Sequence, residues 1–202
     1  MAKDYAKPVS QDELITAKAG LEAHGFKVQI VDHLPAAKAA VLEQIPKGAD
    51  VYTGTSITLD EAGLTKELNE SGNYDSARKR FMPMMQDDPL KARQIGSASE
   101  YAIGSVHAVT QDGQVLIASS TGSQLSNYIY GADHVIWVVG AQKIVKDLAE
   151  AFDRIETHAL PLEDARAHIV YGVGSAINRL VIYRNETRER VTIILVKQAV
   201  GY

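Results

Sequence analysis

Residues 134–143 read HVIWVVGAQK, and the fold turns on how they are interpreted. Val135 to Val139 are apolar without a break. A strand with one wet face would alternate apolar and polar residues, so this one is expected to be buried on both faces, as in the middle of a parallel sheet. The run is far too short to cross a bilayer. It passes straight into Gly140-Ala141-Gln142-Lys143, where glycine allows close backbone approach and a helical turn can begin.

Working outward, Ile144, Leu148, Phe152 and Ile155 predict a long amphipathic helix ending before Pro161. Two further strands, Leu180–Tyr183 and Val191–Val196, are joined by the charged turn RNETRER. On the amino-terminal side Thr121–Tyr130 reads as helical. Asp112-Gly113 separates Val106–Thr110 from Gln114–Ala118, the signature of a two-residue hairpin with a type I′ turn. Residues 71–95, broken by Asn73, Pro83 and Pro89 around a Met82–Met85 cluster, read as helical pieces joined by turns: a solvated connector, a lid or a partner surface. Earlier still, Asp50–Thr53 is a short strand. Thr58 with Glu61, and Ser10 with Glu13, form two capping boxes, the second with a Val9–Leu14 staple. Pro35 opens a helix bearing Ala37, Val41 and Ile45 that Pro46 stops, and residues 26–31 are a strand. Leu14, Ala17 and Leu21 line the first helix, which Gly25 ends. The expectation is a single α/β domain over 1–202, with 1–25 as an amino-terminal helical extension and a mixed sheet flanked by helices on both faces.

The 202 residues suffice for one core without covalent staples. Hydrophobic residues make up 46% and charged residues 23%, an ordinary globular balance. The absence of cysteine excludes disulfides, thiolate metal sites, an iron–sulfur cluster held by this chain and a cysteine nucleophile. Twenty-one basic against 25 acidic residues give a net charge of −4, which disfavours a nucleic-acid partner. The first residues lack the apolar core of a signal peptide, so a cytoplasmic location away from membranes is expected.

In open α/β sheets ligands sit beyond the carboxyl ends of the strands. Three turns are expected there: Thr53-Gly54-Thr55-Ser56, Ser119–Ser123, and Gly140–Lys143. Each offers glycine, hydroxyl or amide donors and free backbone N–H groups, which favours a small carboxylate or phosphate. The binding candidates are Thr53, Gly54, Thr55, Ser56, Ser105, Gly122, Ser123, Gln124, Gln142 and Lys143. Small hydroxyl residues also cap helices, so each turn has a purely structural reading as well. Glu100, before the apolar Tyr101-Ala102-Ile103, is a candidate acid–base group if burial raises its pKa. His107, two residues after Ser105, is the second catalytic candidate, against the alternative of a structural histidine on a hairpin. The six histidines have no metal-ligand spacing. No Walker loop, G-x-G-x-x-G or G-x-S-x-G motif is present, and no cofactor is specified.

With those residues in view, the chain resembles the lactate-utilisation (LUD) domain family. The resemblance rests on SEYAIGSVHAVTQDGQVLIASSTGSQLSNYIYGADHVIWVVGAQKIVKDLAEAFDRI at 99–155, PLEDARA at 161–167, GVGSAIN at 172–178, GTSITLDEAGL at 54–64 and the closing VTIILVKQAVGY. It implies a fold similar to the glucosamine-phosphate isomerase, ribose-phosphate isomerase and CoA-transferase group. It also implies a bacterial setting in which relatives accompany iron–sulfur proteins in oxidising lactate. Some relatives carry cysteines where this chain has YGVGSAINRL, and others carry Asn-Arg where Ser123-Gln124 stand here, so a fixed cation is absent from that turn. The resemblance supplies no agreed catalytic residue.

Three functions compete. One is an accessory component of lactate or organic-acid oxidation that binds a small anionic metabolite or a partner, an iron–sulfur oxidoreductase subunit being the candidate. A second is a stand-alone enzyme of isomerase or CoA-transferase type acting on a phosphosugar or acyl-CoA. A third is a metabolite sensor without turnover. The residues rank neither the substrate nor the oligomeric state.

Overall fold

The computed structural model describes residues 3–202. Ten strands form two sheets. They are β1 (Lys27–Val31), β2 (Asp50–Thr53), β3 (Asp75–Ser76), β4 (Tyr101–Gly104), β5 (Ala108–Thr110), β6 (Val115–Ser119), β7 (His134–Gly140), β8 (Ile144–Val145), β9 (Arg179–Tyr183) and β10 (Val191–Val196). The larger sheet has the order β1-β10-β7-β4-β2-β3, and every neighbouring pair in it is parallel. The smaller has the order β8-β5-β6-β9 and is mixed. The architecture is therefore α/β with a parallel main sheet. The single mixed sheet expected from the sequence is divided in two, because the hairpin at 108–119 pairs with β8 and β9 rather than with the main strands.

Alternation along the parallel strands separates two cores. Val135, Trp137 and Val139 of β7, with Val191, Ile193 and Leu195 of β10, face the smaller sheet and α1 (Gln11–Ala23). Ile136, Val138, Ile194 and Val196 face the helices α2 (Leu34–Glu43), α3 (Ile57–Glu61) and α4 (Leu64–Glu70). An unbroken apolar strand is the result, since both faces are covered. The far face of the smaller sheet buries Ala108, Leu116 and Val145 against Ala151 and Ile155. Two short helices, α5 (Ala77–Phe81) and α6 (Pro89–Ile95), fill the 71–95 region with Met82, Met84 and Met85 exposed.

The Ser10–Glu13 capping box forms: Ser10 N–H donates to Glu13 Oε2 at 3.0 Å, and Glu13 N–H to Ser10 Oγ at 3.3 Å. Leu14, Ala17 and Leu21 of α1 sink into the core. The helix also touches the hairpin. A Cβ on Gly113 would lie 2.2 Å from the Gly20 carbonyl oxygen, and Gly113 has φ 92°. Asp112 is not left-handed, and Gly113 N–H donates to Thr110 O at 3.0 Å. The hairpin loop is thus three residues with a left-handed glycine, not a type I′ turn.

Two other expectations change. Helix α7 (Leu148–Arg154) begins later than predicted, because Ile144 belongs to β8, and it does not stop at Pro161. A π-turn at Ile155–Ala159, closed by Leu160 N–H to Ile155 O, leads into α8 (Leu160–Tyr171). The wider turn takes in a proline that would otherwise clash with the carbonyl four residues back. The buried residues of α7 are Ala151 and Arg154, while Phe152 is exposed. Strands β9 and β10, joined by a charged turn, lie in different sheets. No helix among the described residues is long and apolar enough to cross a membrane.

Candidate functional site

Parallel pairing carries Thr53, Gly104, Gly140 and Val196 to one edge of the main sheet. The side chain that dominates this edge is Lys143, on the single 3-10 turn that follows β7. It is 2% exposed, although lysine rarely surrenders water without a counter-ion. Its Nζ donates to Thr58 Oγ1 and to Ser105 Oγ, each at 3.1 Å. Ser105 follows β4, and Thr58 lies in the first turn of α3. Among the described residues Lys143 forms no ion pair. Burial, then the positive charge of Arg154, pulls its pKa down to about 7, with Glu61 opposing.

A second buried cation stands beside it. Arg154 is 0% exposed; its Nε donates to Gln142 O at 3.3 Å and its Nη1 to His107 O, while Nη2 is buried without a partner. The nearby acids are engaged elsewhere. Glu163 accepts from Arg166 Nε at 2.8 Å and from the Tyr202 hydroxyl, and Glu61 accepts from Gly201 N–H at 2.9 Å. The neighbourhood therefore holds buried positive charge that the described residues do not neutralise by direct pairing, an electrostatic condition that favours an anion.

His107 sits at the mouth of β5, partly buried, with Nδ1 accepting from Ala118 N–H at 3.1 Å. Burial, reinforced by Lys143 and Arg154, lowers its pKa to about 3, so the ring is neutral at physiological pH. The segment after β10 lies along the same edge. Gln142 donates from Nε2 to Val200 O at 2.8 Å and to Gly201 O at 3.1 Å, and its Oε1 accepts from Val200 N–H at 3.1 Å. That clamp needs glycine at 140, where a Cβ would lie 2.1 Å from Gln142 Oε1. Thr58 Oγ1 in turn donates to Val200 O at 3.4 Å.

The three turns predicted from sequence meet at this edge, but not with the roles expected. Gly54 faces Gln124, whose Cβ would be 3.7 Å from a Cβ at 54, and Ser123 lies beside the Tyr52 phenol. Thr53 is buried and spends its hydroxyl on Asn69 at 3.1 Å. Ser56 caps α3 in place of Thr58, Thr55 is exposed, and the Thr58–Glu61 capping box is replaced by contacts to Val200 and Gly201. In the 119–124 turn, Ser119 Oγ accepts from Gly122 N–H at 2.8 Å and donates to Gln124 Oε1 at 2.9 Å, so its donors are internally satisfied. Glu100 is a correction. It is exposed at the amino end of β4, where its carbonyl takes His134 N–H at 2.9 Å, on the edge opposite Lys143. Open grooves lined by Lys27, Gln44, Tyr101 and His134 also lie at that opposite edge.

Sequence reasoning found Gln142 and Lys143 by their position after a strand, and Ser105 and His107 by their place at the opening of one. It missed Thr58, mistaken for a cap, and Arg154, which stands where an amphipathic pattern expects a solvated charge. Among the described residues no group of three or more His, Asp or Glu side chains is placed to hold a metal ion.

Residues 15–196 match the profile of the family described as LUD domain. The crystal structure of a duf162 family protein from Deinococcus radiodurans is similar in fold, with a TM-score of 0.58 at 14% identity over 94% of this chain and 99% of that one. No curated protein matches the chain.

Proposed function

Because the chain belongs to the LUD domain family, we propose that it serves lactate or organic-acid oxidation as an accessory protein that binds a small carboxylate at the Lys143 edge. The observation that carries this reading is the burial of Lys143 and Arg154 with no carboxylate paired to either among the described residues. An entering anion would complete the coordination of Arg154 Nη2 and offset the cost of burying both charges. Ser105 and Thr58 orient the amine, and neutral His107 contributes a ring near both cations without adding a third charge. The similarity to the isomerase and CoA-transferase group is part of the proposal. It is supported by a parallel sheet whose carboxyl-end turns gather the candidate residues. A bacterial iron–sulfur oxidoreductase subunit remains the proposed partner. The alternative of a phosphosugar or acyl-CoA enzyme using Glu100 loses its acid–base group to the opposite edge.

Calorimetric titration with L-lactate, pyruvate, acetate and phosphate tests the reading. Binding should weaken about tenfold per pH unit once the solution passes the lysine's pKa near 7, as the ammonium loses its proton. Lys143→Met should weaken it at least about tenfold at slightly acid pH. Equal affinity in wild type and variant would move the site away from Lys143.

A further inference from the structure

We propose that Lys143 captures carbonyl-bearing carboxylic acids, 2-oxo acids being the simplest, as a reversible imine, with Ser105 and Thr58 moving the protons. The inference rests on the anion-binding reading and specifies what the bound anion undergoes. Three observations carry it. The amine is buried, which favours a condensation that expels water. It is held at 3.1 Å from two hydroxyls, each able to accept a proton from it and return one. Arg154 Nη2, buried and unpartnered in the same cluster, is a donor matched to the acid's carboxylate. Burial, with the charge of Arg154 nearby, also leaves the amine neutral for part of the time near pH 7, and a neutral lysine is the nucleophile.

The step balances without an oxidant. The Nζ lone pair bonds to the carbonyl carbon, the C=O pair moves to oxygen, and a hydroxyl relays a proton from nitrogen to that oxygen. The carbinolamine then expels its hydroxyl as water, which takes nitrogen's second proton through the same hydroxyl relay, while the nitrogen lone pair forms the C=N bond. Water adding back regenerates the lysine and the oxo acid. Val200 and Gly201 rest on Thr58, so the acid must approach past the clamp that Gln142 makes.

Borohydride trapping tests the proposal. The full chain is incubated with pyruvate near neutral pH, reduced, digested and mapped by mass spectrometry, with acetate as the ligand that cannot condense. The expected result is a carboxyethyl group on Lys143 ahead of every exposed lysine, none with acetate, and trapping slowed about tenfold or more in Ser105→Ala. Labelling spread over surface lysines, or no labelling, overturns the proposal. Calorimetry with acetate separates the two readings: acetate binding without a Lys143 adduct overturns the imine and leaves the anion site standing. Neither binding nor adduct overturns both. Lys143→Arg, which keeps the charge but lacks the nucleophile, should bind acetate and give no adduct at 143. Because the wild-type peptide map locates the adduct directly, the test survives if that variant fails to fold.

Discussion

Replacing Lys143 by methionine should make the protein more stable near neutral pH and flatten its stability profile above it. In the unfolded chain the amine holds its proton to about 10.5, whereas in the folded chain it releases it near 7. Below 7 both states carry the proton, and folding bears the full cost of burying it. Between 7 and 10.5 the unfolded state binds more protons than the native state, so stability rises with pH, by about 1.4 kcal/mol per unit. The fall from 10.5 to about 7 corresponds to an upper limit of about 5 kcal/mol of burial cost. Methionine keeps the stem and removes the charge. Thr58 and Ser105 each lose a hydrogen-bond donor, a penalty of roughly 1 kcal/mol apiece, so the net gain at slightly acid pH is about 3 kcal/mol at most. Urea denaturation of both proteins from about pH 6 to about pH 9.5 reads the difference. The wild-type curve should climb toward the variant's above pH 7. Parallel profiles would refute the argument, since they would mean that the amine changes protonation no more on folding than methionine does.

Gly113→Val should cost at least about 2 kcal/mol, seen as a lowered Tm, because φ is 92° and the new Cβ would meet the Gly20 carbonyl. An unchanged Tm would contradict the contact between α1 and the hairpin. Gln142→Ala removes the two bonds that Gln142 makes to Val200 and the one to Gly201, leaving Val200 only Thr58, and should cost roughly 1–3 kcal/mol, with faster amide exchange confined first to residues 198–202; unaltered exchange there would show that the clamp does not hold the segment. Glu100→Gln, at an exposed position on the opposite edge, should change stability by less than about 0.5 kcal/mol and leave carboxylate binding intact, and a loss of binding in titration would reinstate it.

The central strands were legible in the sequence because burial on both faces leaves an unbroken apolar run, visible at Val135–Val139 without any knowledge of neighbours. Helix α1 was legible for a similarly local reason, its capping box being written in two residues. Which sheet each strand joins was not legible. Nothing within VTIILV says that it inserts between β1 and β7, since pairing depends on residues more than 50 positions earlier in β7 and more than 160 positions earlier in β1. The site was half visible. Lys143 follows a strand, and the rule that strand ends hold ligands picks it out, whereas the strand that precedes Ser105 was not read. Arg154 is invisible for a physical reason: an arginine on a helix reads as solvated unless the facing surface is known, and here that surface is the backbone of residues 107 and 142. Thr58 misled because its spacing to Glu61 satisfies a local motif that the fold overrides with contacts to Val200 and Gly201.

The position of β10 also governs how the chain comes together. β1 hydrogen-bonds to β10, and β10 is what joins β1 to β7, so until residues 191–196 dock, two rows of unpaired backbone amides and carbonyls stand open. Both rows are flanked by Val and Ile side chains, with Trp137 added in β7, a composition prone to pairing with a foreign strand. Nascent chains arrested before residue 191 are therefore expected to be clients of chaperones and to aggregate when released. Docking β10 seals both rows at once and, in the same movement, brings Val200 and Gly201 to Gln142 and Thr58, so the edge that carries Lys143 is completed only after β10 has docked.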